Sequence, residues 1–550
     1  MTEPTWTRRR LAGNALGLAA ASAFPWYWYT HLRPQPPRVN VHRPGITMGH
    51  QVRDHRSFPA PKHTWSCDVM IVGSGTAALT AAWKLKREGY TRFVMLEGPE
   101  PNGNNAGITN RELNYPSGAH YLALPSQESR HIREMLADIG VLQSDPYALA
   151  PVYDEMVLVH APEERLLHNG TWQEAMLPQE DADSARFFAL VEQLSQTRGN
   201  DGRPLFAIPL ALSSRDTEWR ALDGMTFQQW LQDNHYQSPS LLWYLNYCCR
   251  DDYGQGIQKV SAWAGLHYFA CRTGHAQHAG KGAVLTWPDG LATLSNKLRD
   301  FVGFQKQTAF EPQLDVGPVN MAGTLLQAQE HPDHVELLIG IMNQQQLQTV
   351  RVQAQKVICA MPLYIASHVV QNIKQYGFEP AIHMPVYAPW MISNFVFTSF
   401  PNESEGAPLS WDNVVHSGPG VGYVVSTHQL IRAAKPERTA FTAYYAMDEA
   451  EPSAVRNWMI EASEQKLVDK AISDLKLAYP DDLSRHLQQI DITLRGHAMA
   501  SPTPGYLNNE GFKALQQNNS RMLFAHSDLS GYSVFEEAAW WGYQAALRIL

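Results

Sequence analysis

A glycine-rich turn that follows a short apolar run constrains the fold of this chain more than any other feature. The apolar residues Val69–Val72 predict a buried strand. The three small-residue positions of the pattern G-x-G-x-x-G/A are then occupied by Gly73, Gly75 and Ala78. The first glycine permits a tight turn, the second lets a pyrophosphate approach the backbone, and the third position lets the next helix pack on the strand. We therefore predict a dinucleotide-binding turn. Its residues are Gly73, Ser74, Gly75, Thr76, Ala77 and Ala78.

The residues after this turn continue the pattern. A predicted helix, Thr76–Glu88, would direct its free N-terminal amides at phosphate groups. A second predicted strand, Arg92–Leu96, ends at Glu97, about where such units place an acid against a ribose hydroxyl. Gly98 follows and is included among the predicted cofactor-binding residues. An unrelated βα unit with a glycine turn is the alternative, but strand, turn, helix, strand and acid occur here in the required order.

The C-terminal segment carries a second pattern. Met522–Ala525 predicts a short strand, Asp528 follows it, and a helix is predicted from Ser533 to the last residue. One face of this helix is made almost wholly of small residues, which permits a close approach between backbones. The residues on that face are Phe535, Ala538, Ala539, Gly542, Ala545, Ala546 and Ile549.

Together, the two terminal patterns resemble the flavin-containing amine oxidase superfamily of FAD-dependent oxidoreductases, which includes monoamine and polyamine oxidases, protoporphyrinogen oxidase and phytoene desaturase. The resemblance extends over most of the chain from Ser66 onward. It implies FAD as the cofactor, with Glu97 at the adenosine ribose and Asp528 at the ribityl or pyrophosphate region. It also implies cofactor contacts from Gly118, in a strand that passes the flavin ring, and from Phe535.

The fold class that the resemblance implies is α/β, with a Rossmann-like FAD-binding lobe interleaved with an α+β substrate-binding lobe. We assign residues 66–125, 280–365 and 490–550 to the FAD-binding lobe. The substrate-binding lobe takes residues 126–279 and 366–489. The chain is therefore expected to pass repeatedly between the two lobes.

The N-terminus resembles a twin-arginine export signal over residues 1–23. Arg8–Arg10 form its basic part, a weakly apolar Ala- and Gly-rich stretch follows, and Ala21–Ala23 offers a small-residue cleavage site. Residues 24–65 are proline-rich and predict a linker or an arm along the surface. The signal implies a bacterial periplasmic protein, exported by the twin-arginine machinery, with no stable membrane span after cleavage. A basic tail that tethers the protein to a membrane is the alternative.

The resemblance implies that the small-molecule substrate is an amine or polyamine, oxidised by hydride transfer to flavin N5. Two departures from the family leave other functions open. Ser367 stands where monoamine oxidases carry a lysine, and His526 replaces the usual glycine after the last strand. The alternatives are a desaturase or isomerase of an apolar substrate, and a non-catalytic flavin-binding protein of the periplasm. No second dinucleotide motif is visible, which argues against an additional nicotinamide cofactor.

Two residues are candidate catalytic groups. His120 lies in the segment predicted to pass the flavin, where it would tune the substrate amine or the flavin; a hydrogen-bonded core histidine is the alternative. Tyr532 precedes the C-terminal helix and offers an aromatic face to a substrate cation. For Trp541, on the helix itself, we expect packing instead.

The net charge argues against nucleic-acid binding, and the spacing of possible metal ligands argues against metal binding. The chain has 44 Lys+Arg against 53 Asp+Glu and a formal net charge of -9, so we expect no nucleic-acid partner. Cys271, His275 and His278 imitate a metal site, but their spacing lacks a fourth ligand, and we predict no metal.

Overall fold

Two eight-stranded sheets form the frame of the fold in the computed structural model. The structure describes residues 36–54, 57–109, 113–343, 346–431, 434, 436–480 and 483–550. The strands in these ranges are β1 (Arg38–His42), β2 (Thr64–Val72), β3 (Phe93–Glu97), β4 (Gly107–Thr109), β5 (Asn114–Pro116), β6 (Tyr121–Ala123), β7 (Glu164–His168), β8 (Thr171–Gln173), β9 (Val284–Thr286), β10 (Gln305–Gln307), β11 (Val319–Ala322), β12 (Thr324–Glu330), β13 (Val335–Asn343), β14 (Gln346–Cys359), β15 (Val386–Phe397), β16 (Asp412–Val415), β17 (Tyr423–Val425), β18 (Thr439–Ala446), β19 (Leu487–Ser501) and β20 (Met522–Phe524). The helices are α1 (Ile46–Asp54), α2 (Thr76–Arg87), α3 (Arg130–Asp138), α4 (Ala182–Gln196), α5 (Thr217–Arg220), α6 (Phe227–Asp233), α7 (Pro239–Tyr253), α8 (Ala262–Ala270), α9 (Ala292–Val302), α10 (Leu363–Val369), α11 (Pro380–His383), α12 (Pro452–Glu461), α13 (Glu464–Ala471), α14 (Ser473–Ala478), α15 (Leu483–His486), α16 (Glu510–Gln517) and α17 (Phe535–Leu547).

The first sheet has the strand order β10-β11-β3-β2-β14-β13-β12, and β20 pairs with the end of β14. The neighbours β10, β11, β3, β2 and β14 are parallel to one another, and β20 is parallel to β14. The last two strands of the order, β13 and β12, pair antiparallel. Met70, Ile71 and Met95 on β2 and β3 are fully buried, as continuous apolar strands are when helices cover both faces of a parallel sheet. Helix α2 connects β2 to β3, and both α9 and α17 pack against α2. This is a Rossmann-like α/β arrangement, and the predicted fold class is confirmed.

The second sheet is mixed and has the order β1-β19-β15-β18-β17-β16-β7-β8. The long antiparallel strands β19 and β15 are the second and third strands of this order, next to β1 at the edge, and every residue of β18 is buried. Helices α12 and α13 pack on β15 and β19, and α14 packs on β16. This sheet supplies a second core, so the molecule has two lobes that the chain visits in turn.

Parts of two predicted segments lie in the second sheet. The predicted FAD-binding segment begins at residue 490, but β19 continues without a break to Ser501, so residues 490–501 lie in the second sheet. The predicted linker, residues 24–65, contains β1, which pairs in parallel with β19, and α1. The predicted export signal, residues 1–23, lies outside the described residues. Among the described helices, none has both the length and the apolar character that a membrane crossing needs.

Candidate functional site

The predicted dinucleotide turn connects β2 to α2. Gly73 has φ +116°, and a Cβ there would lie 2.7 Å from the Ala360 carbonyl oxygen, so only glycine fits. Gly75 is the N-cap of α2, and Thr76 begins this 12-residue helix. The buried residues of the turn are Ser74, Ala77 and Ala78. Because the first N–H groups of a helix lack partners within it, this turn offers amide donors and a partial positive charge to a phosphate.

Glu97 ends β3 at the same carboxyl edge of the sheet. Its Oε2 accepts hydrogen bonds from Arg299 Nη1 at 2.8 Å and from Asn320 Nδ2 at 2.5 Å. Two neighbouring atoms, Arg299 Nη2 and Asn320 Oδ1, are buried and have no hydrogen-bond partner among the described residues. Gly98 follows Glu97 and has open space on its Cβ side. Since an unpaired buried polar atom is costly, this corner suits a polar ligand such as a ribose.

Asp528 follows β20, and its side chain is fully buried. Its Oδ2 accepts hydrogen bonds from the Leu363 amide at 2.8 Å and from the Tyr387 hydroxyl. Its Oδ1 has no hydrogen-bond donor among the described residues, although His526 Nδ1 lies 3.1 Å away; that nitrogen accepts the Asp528 amide instead. Burial opposes ionisation, but the polar groups around the carboxylate, including the Tyr387 hydroxyl and the Leu363 amide, outweigh it and lower the pKa of Asp528 below its ordinary value. Asp528 therefore keeps a charged carboxylate with one oxygen free for a ligand hydroxyl.

The C-terminal helix α17 lies directly on α2. A Cβ on Gly542 would fall 2.1 Å from the Ala77 carbonyl oxygen, so the two helices meet backbone to backbone. The small-residue face thus packs where the sequence predicts a close approach, beside the dinucleotide turn. Phe535 is the first residue of α17 and packs against the core of the first sheet. Trp541 is buried and donates from Nε1 to Ser530 Oγ at 2.8 Å, as expected for a packing residue.

Gly118 links the dinucleotide turn to the second sheet. A Cβ on Gly118 would fall 1.9 Å from the Asn104 carbonyl oxygen, which leaves room for glycine alone. The next residue in that loop, Asn105, donates to Thr76 Oγ1 at 2.9 Å and so fixes the loop to the start of α2. From the other side, the Tyr444 hydroxyl on β18 donates to the Gly118 carbonyl oxygen at 2.9 Å.

His120 is surrounded by aromatic rings. The ring centroids of Tyr444, Tyr121 and Trp411 lie 4.5, 5.0 and 5.5 Å from its own. Burial lowers the pKa of His120 to about 3, so the imidazole is neutral at pH 7. A neutral ring in an aromatic enclosure does not repel a cationic substrate.

Three acids that the sequence analysis did not identify lie beside these rings. Asp251 is on α7, Asp412 begins β16 and Glu536 is in the first turn of α17. Asp251 and Glu536 act electrostatically on Tyr121, and Asp251 and Asp412 act on Tyr444. Burial raises the pKa of Asp251 to about 7 and that of Glu536 to about 7, and raises the pKa of Asp412 well above its ordinary value. An acid at the end of an otherwise apolar helix is the one sequence signal that points to this group.

Arg272 is the cation of this region. Its Nη2 donates to Asp252 Oδ1 at 2.5 Å, and the guanidinium lies 4.1 Å from the centroid of the Tyr268 ring. The Asp252 carboxylate therefore compensates the charge of Arg272. The other acids of the region have no arginine or lysine bonded to them among the described contacts.

We infer that these rings and acids border an enclosed space. Trp411 and Tyr444 are buried, and the other four residues are only half-buried, although burial is the main cause of the pKa shift of each of those four. Surface that a water molecule can reach deep inside a protein belongs to a cavity. We call it the aromatic–acidic cavity and define it by Tyr121, Tyr247, Asp251, Trp411, Asp412 and Tyr444.

Tyr532 lies elsewhere. It is 1 % exposed, and its hydroxyl donates to Glu537 Oε1 at 2.9 Å. Its ring packs against Tyr253 and His267, each with a centroid distance of 5.8 Å. A ring enclosed in this way offers no face to a substrate. Its position therefore does not support the predicted catalytic role, and Tyr532 serves as a donor to a buried acid instead.

Sequence comparisons match only part of the chain. A family model for an NAD(P)-binding Rossmann-like domain matches residues 71–139. The L-glutamate oxidase precursor of Streptomyces viridosporus is 40% identical over 65 residues, which is 12% of this chain. The chain matches 9% of the length of that curated relative. The sequence similarity is therefore confined to a short segment.

Solved structures resemble the chain over most of its length. Wild-type putrescine oxidase bound to putrescine matches with a TM-score of 0.58 and 14% identity, covering 88% of this chain and 99% of that one. A fatty acid isomerase from P. acnes that produces CLA matches with a TM-score of 0.58 and 15% identity, covering 88% and 98%. At these identities the likeness shows a shared fold, common to proteins of different activities.

Proposed function

We propose that the protein is an FAD-dependent oxidoreductase that oxidises an amine at the carbon next to nitrogen. The observation that carries this proposal is the cluster of aromatic rings around His120, which the hydrogen bond from the Tyr444 hydroxyl to the Gly118 carbonyl oxygen fixes to the predicted flavin strand. FAD, when bound, would supply the hydride acceptor. As the imine forms, the amine gives up a hydride from carbon and a proton from nitrogen, and an ionised carboxylate of the cavity can accept that proton. The similarity in fold to putrescine oxidase and the short match to an L-glutamate oxidase precursor support the same class of reaction.

The residues around the cofactor cleft fit FAD. The turn at Gly73 and Gly75 would hold the pyrophosphate, Glu97 with its unpaired neighbours would hold the adenosine ribose, and the free oxygen of Asp528 would serve the ribityl or pyrophosphate region. Asn320, next to Glu97, adds an unpaired acceptor. These groups hold the cofactor at the carboxyl edge of the first sheet, where open α/β sheets bind their ligands.

The cavity residues bind and orient the amine. Aromatic faces of Tyr121, Trp411 and Tyr444 attract a cation. A bound cation favours the ionised forms of Asp251 and Asp412, which burial otherwise disfavours, and these carboxylates then compensate its charge. His120 stays neutral and fixes the packing of those rings. Enclosure of the cavity keeps water from the reacting carbon.

Replacing Asp528 with alanine is expected to weaken FAD binding about tenfold or more, because a charged hydrogen-bond partner of the cofactor is lost. Fluorescence titration of FAD into the apoprotein measures this. Asp315→Ala, at an exposed acid, is the control and is expected to bind FAD like the wild type. Equal FAD affinity in Asp528→Ala and wild type would contradict the assignment of the cleft.

Matched substrates test the reaction class. With a dye as electron acceptor, amines are expected to be turned over, while alcohols with the same carbon skeleton are not, because they lack the cation that the acids recognise. Turnover of the alcohols alone would refute amine oxidation. Conversion of an unsaturated fatty acid, with no response to any amine, would favour the isomerase alternative.

The N-terminal sequence supports export to the periplasm by the twin-arginine machinery. Arg8–Arg10 and the small residues Ala21–Ala23 are the basis of this part of the proposal. Changing Arg9 and Arg10 to lysine is expected to retain the protein in the cytoplasm when bacterial cells are fractionated. Periplasmic protein in that variant would contradict the route.

A further inference from the structure

Two histidines and a glutamate meet on the hairpin that joins β12 to β13, outside the cofactor cleft. One possible ligand atom from each of His331, His334 and Glu336 lies within 4.8 Å of the other two. The imidazole rings are stacked, with centroids 4.9 Å apart and planes 22° from parallel. A backbone hydrogen bond of 2.8 Å, from the His331 amide to the His334 carbonyl oxygen, fixes the turn that carries both rings.

The two ring nitrogens of His334 have different surroundings. Its Nδ1 lies 2.9 Å from Asp333 Oδ1, within hydrogen-bonding distance of that carboxylate. Its Nε2 is buried and has no hydrogen-bond partner among the described residues. A carboxylate on one imidazole nitrogen orients the ring and leaves the other nitrogen free as a ligand, which is the usual arrangement at protein metal sites.

The third group, Glu336, can supply a ligand atom to an ion that the two histidines hold. Glu336 Oε2 pairs with Arg351 Nε at 3.3 Å, so one carboxylate oxygen has a partner and the other remains available. The Glu336 side chain is about one-third exposed and can turn without disturbing the core. Two imidazoles and a carboxylate form a donor set that zinc accepts, at bond lengths of about 2 Å.

We propose that His331, His334 and Glu336 bind a divalent transition-metal ion, of which Zn²⁺ is the representative. The ion joins the end of β12 to the start of β13 and stabilises the edge of the first sheet. This group differs from the Cys271, His275 and His278 set. Cys271 is buried while the two histidines of that set are exposed, so those side chains do not face a common point.

Calorimetric titration of Zn²⁺ into the untagged, FAD-loaded protein tests the site after treatment with a chelator and desalting. We expect one bound ion. His334→Ala is expected to lower the affinity about 100-fold, and Asp333→Asn about tenfold, because it removes the carboxylate that orients the ring. His278→Ala, at an exposed histidine outside the hairpin, is the control and is expected to bind as tightly as wild type.

Thermal unfolding provides a second readout. Zn²⁺ is expected to raise the Tm of the wild type and of His278→Ala, but not that of His334→Ala, since a ligand stabilises only the form that binds it. Absence of Zn²⁺ binding by the wild type, or equal binding by His334→Ala, would overturn the proposal. Asp333→Asn keeps the hairpin's length and both histidines, so its result remains decisive if His334→Ala does not fold.

Discussion

Replacing Gly542 with alanine is expected to lower the free energy of unfolding by about 3 kcal/mol and to release FAD. The added Cβ would lie 2.1 Å from the Ala77 carbonyl oxygen, and that oxygen belongs to the backbone of α2 rather than to a movable side chain. Helix α17 must therefore move away from the dinucleotide turn. Chemical denaturation and the flavin content of the purified variant measure the two effects.

Gly49 provides a matched control, because it also lies within a helix. No atom lies within 4 Å of a Cβ built on Gly49. Gly49→Ala is therefore expected to raise the free energy of unfolding by about 0.5–1 kcal/mol, the ordinary helix preference for alanine. If Gly542→Ala were as stable as Gly49→Ala and kept its flavin, the close contact of α17 with α2 would not be needed for the cofactor cleft.

The second large effect is expected in the aromatic–acidic cavity. Changing Asp251 and Asp412 together to asparagine is expected to raise KM for amines about 100-fold, because the substrate cation loses both compensating charges. FAD binding should be unchanged, since neither acid lies among the cofactor-cleft residues. Glu405→Gln, at an exposed acid, is the control and should leave KM unchanged.

The same acids predict how KM depends on pH. Burial raises the pKa of Asp251 to about 7, so its side chain is a neutral carboxylic acid below that pH and a charged carboxylate above it. The charged form binds the amine cation, and KM of the wild type is therefore expected to fall as the pH rises through about 7. The double variant should lose most of this dependence. An unchanged pH profile and KM in the variant would contradict a role for these acids in substrate binding.

The cofactor cleft could be predicted because its determinants are local. Gly73 and Gly75 follow an apolar strand directly, and Glu97 ends the next strand, so their spacing along the chain predicts their position at the carboxyl edge of the first sheet. The small face at Gly542 was visible as helical periodicity, and the structure places it in backbone contact with α2. Each of these signals lies within one or two consecutive elements.

The cavity could not be predicted in the same way. Asp251, Asp412 and Glu536 lie on three distant elements and meet only through tertiary packing. A single acid on a helix or at the start of a strand has the same appearance in a sequence as a solvated surface residue. Tyr532 is the reverse case: its position before a helix is consistent with a substrate wall in the sequence, whereas the structure buries its ring against Tyr253. The predicted boundary at residue 490 falls within β19, which is one continuous strand from Leu487 to Ser501.

The most direct test of amine oxidation is the absorption spectrum of the purified protein, recorded before and after anaerobic addition of individual amines. The proposal predicts an oxidised-flavin band at about 450 nm that is bleached by at least one amine and not by the matching alcohol. A flavin band that no amine changes would contradict amine oxidation, and the absence of any flavin after reconstitution with FAD would contradict the cofactor assignment.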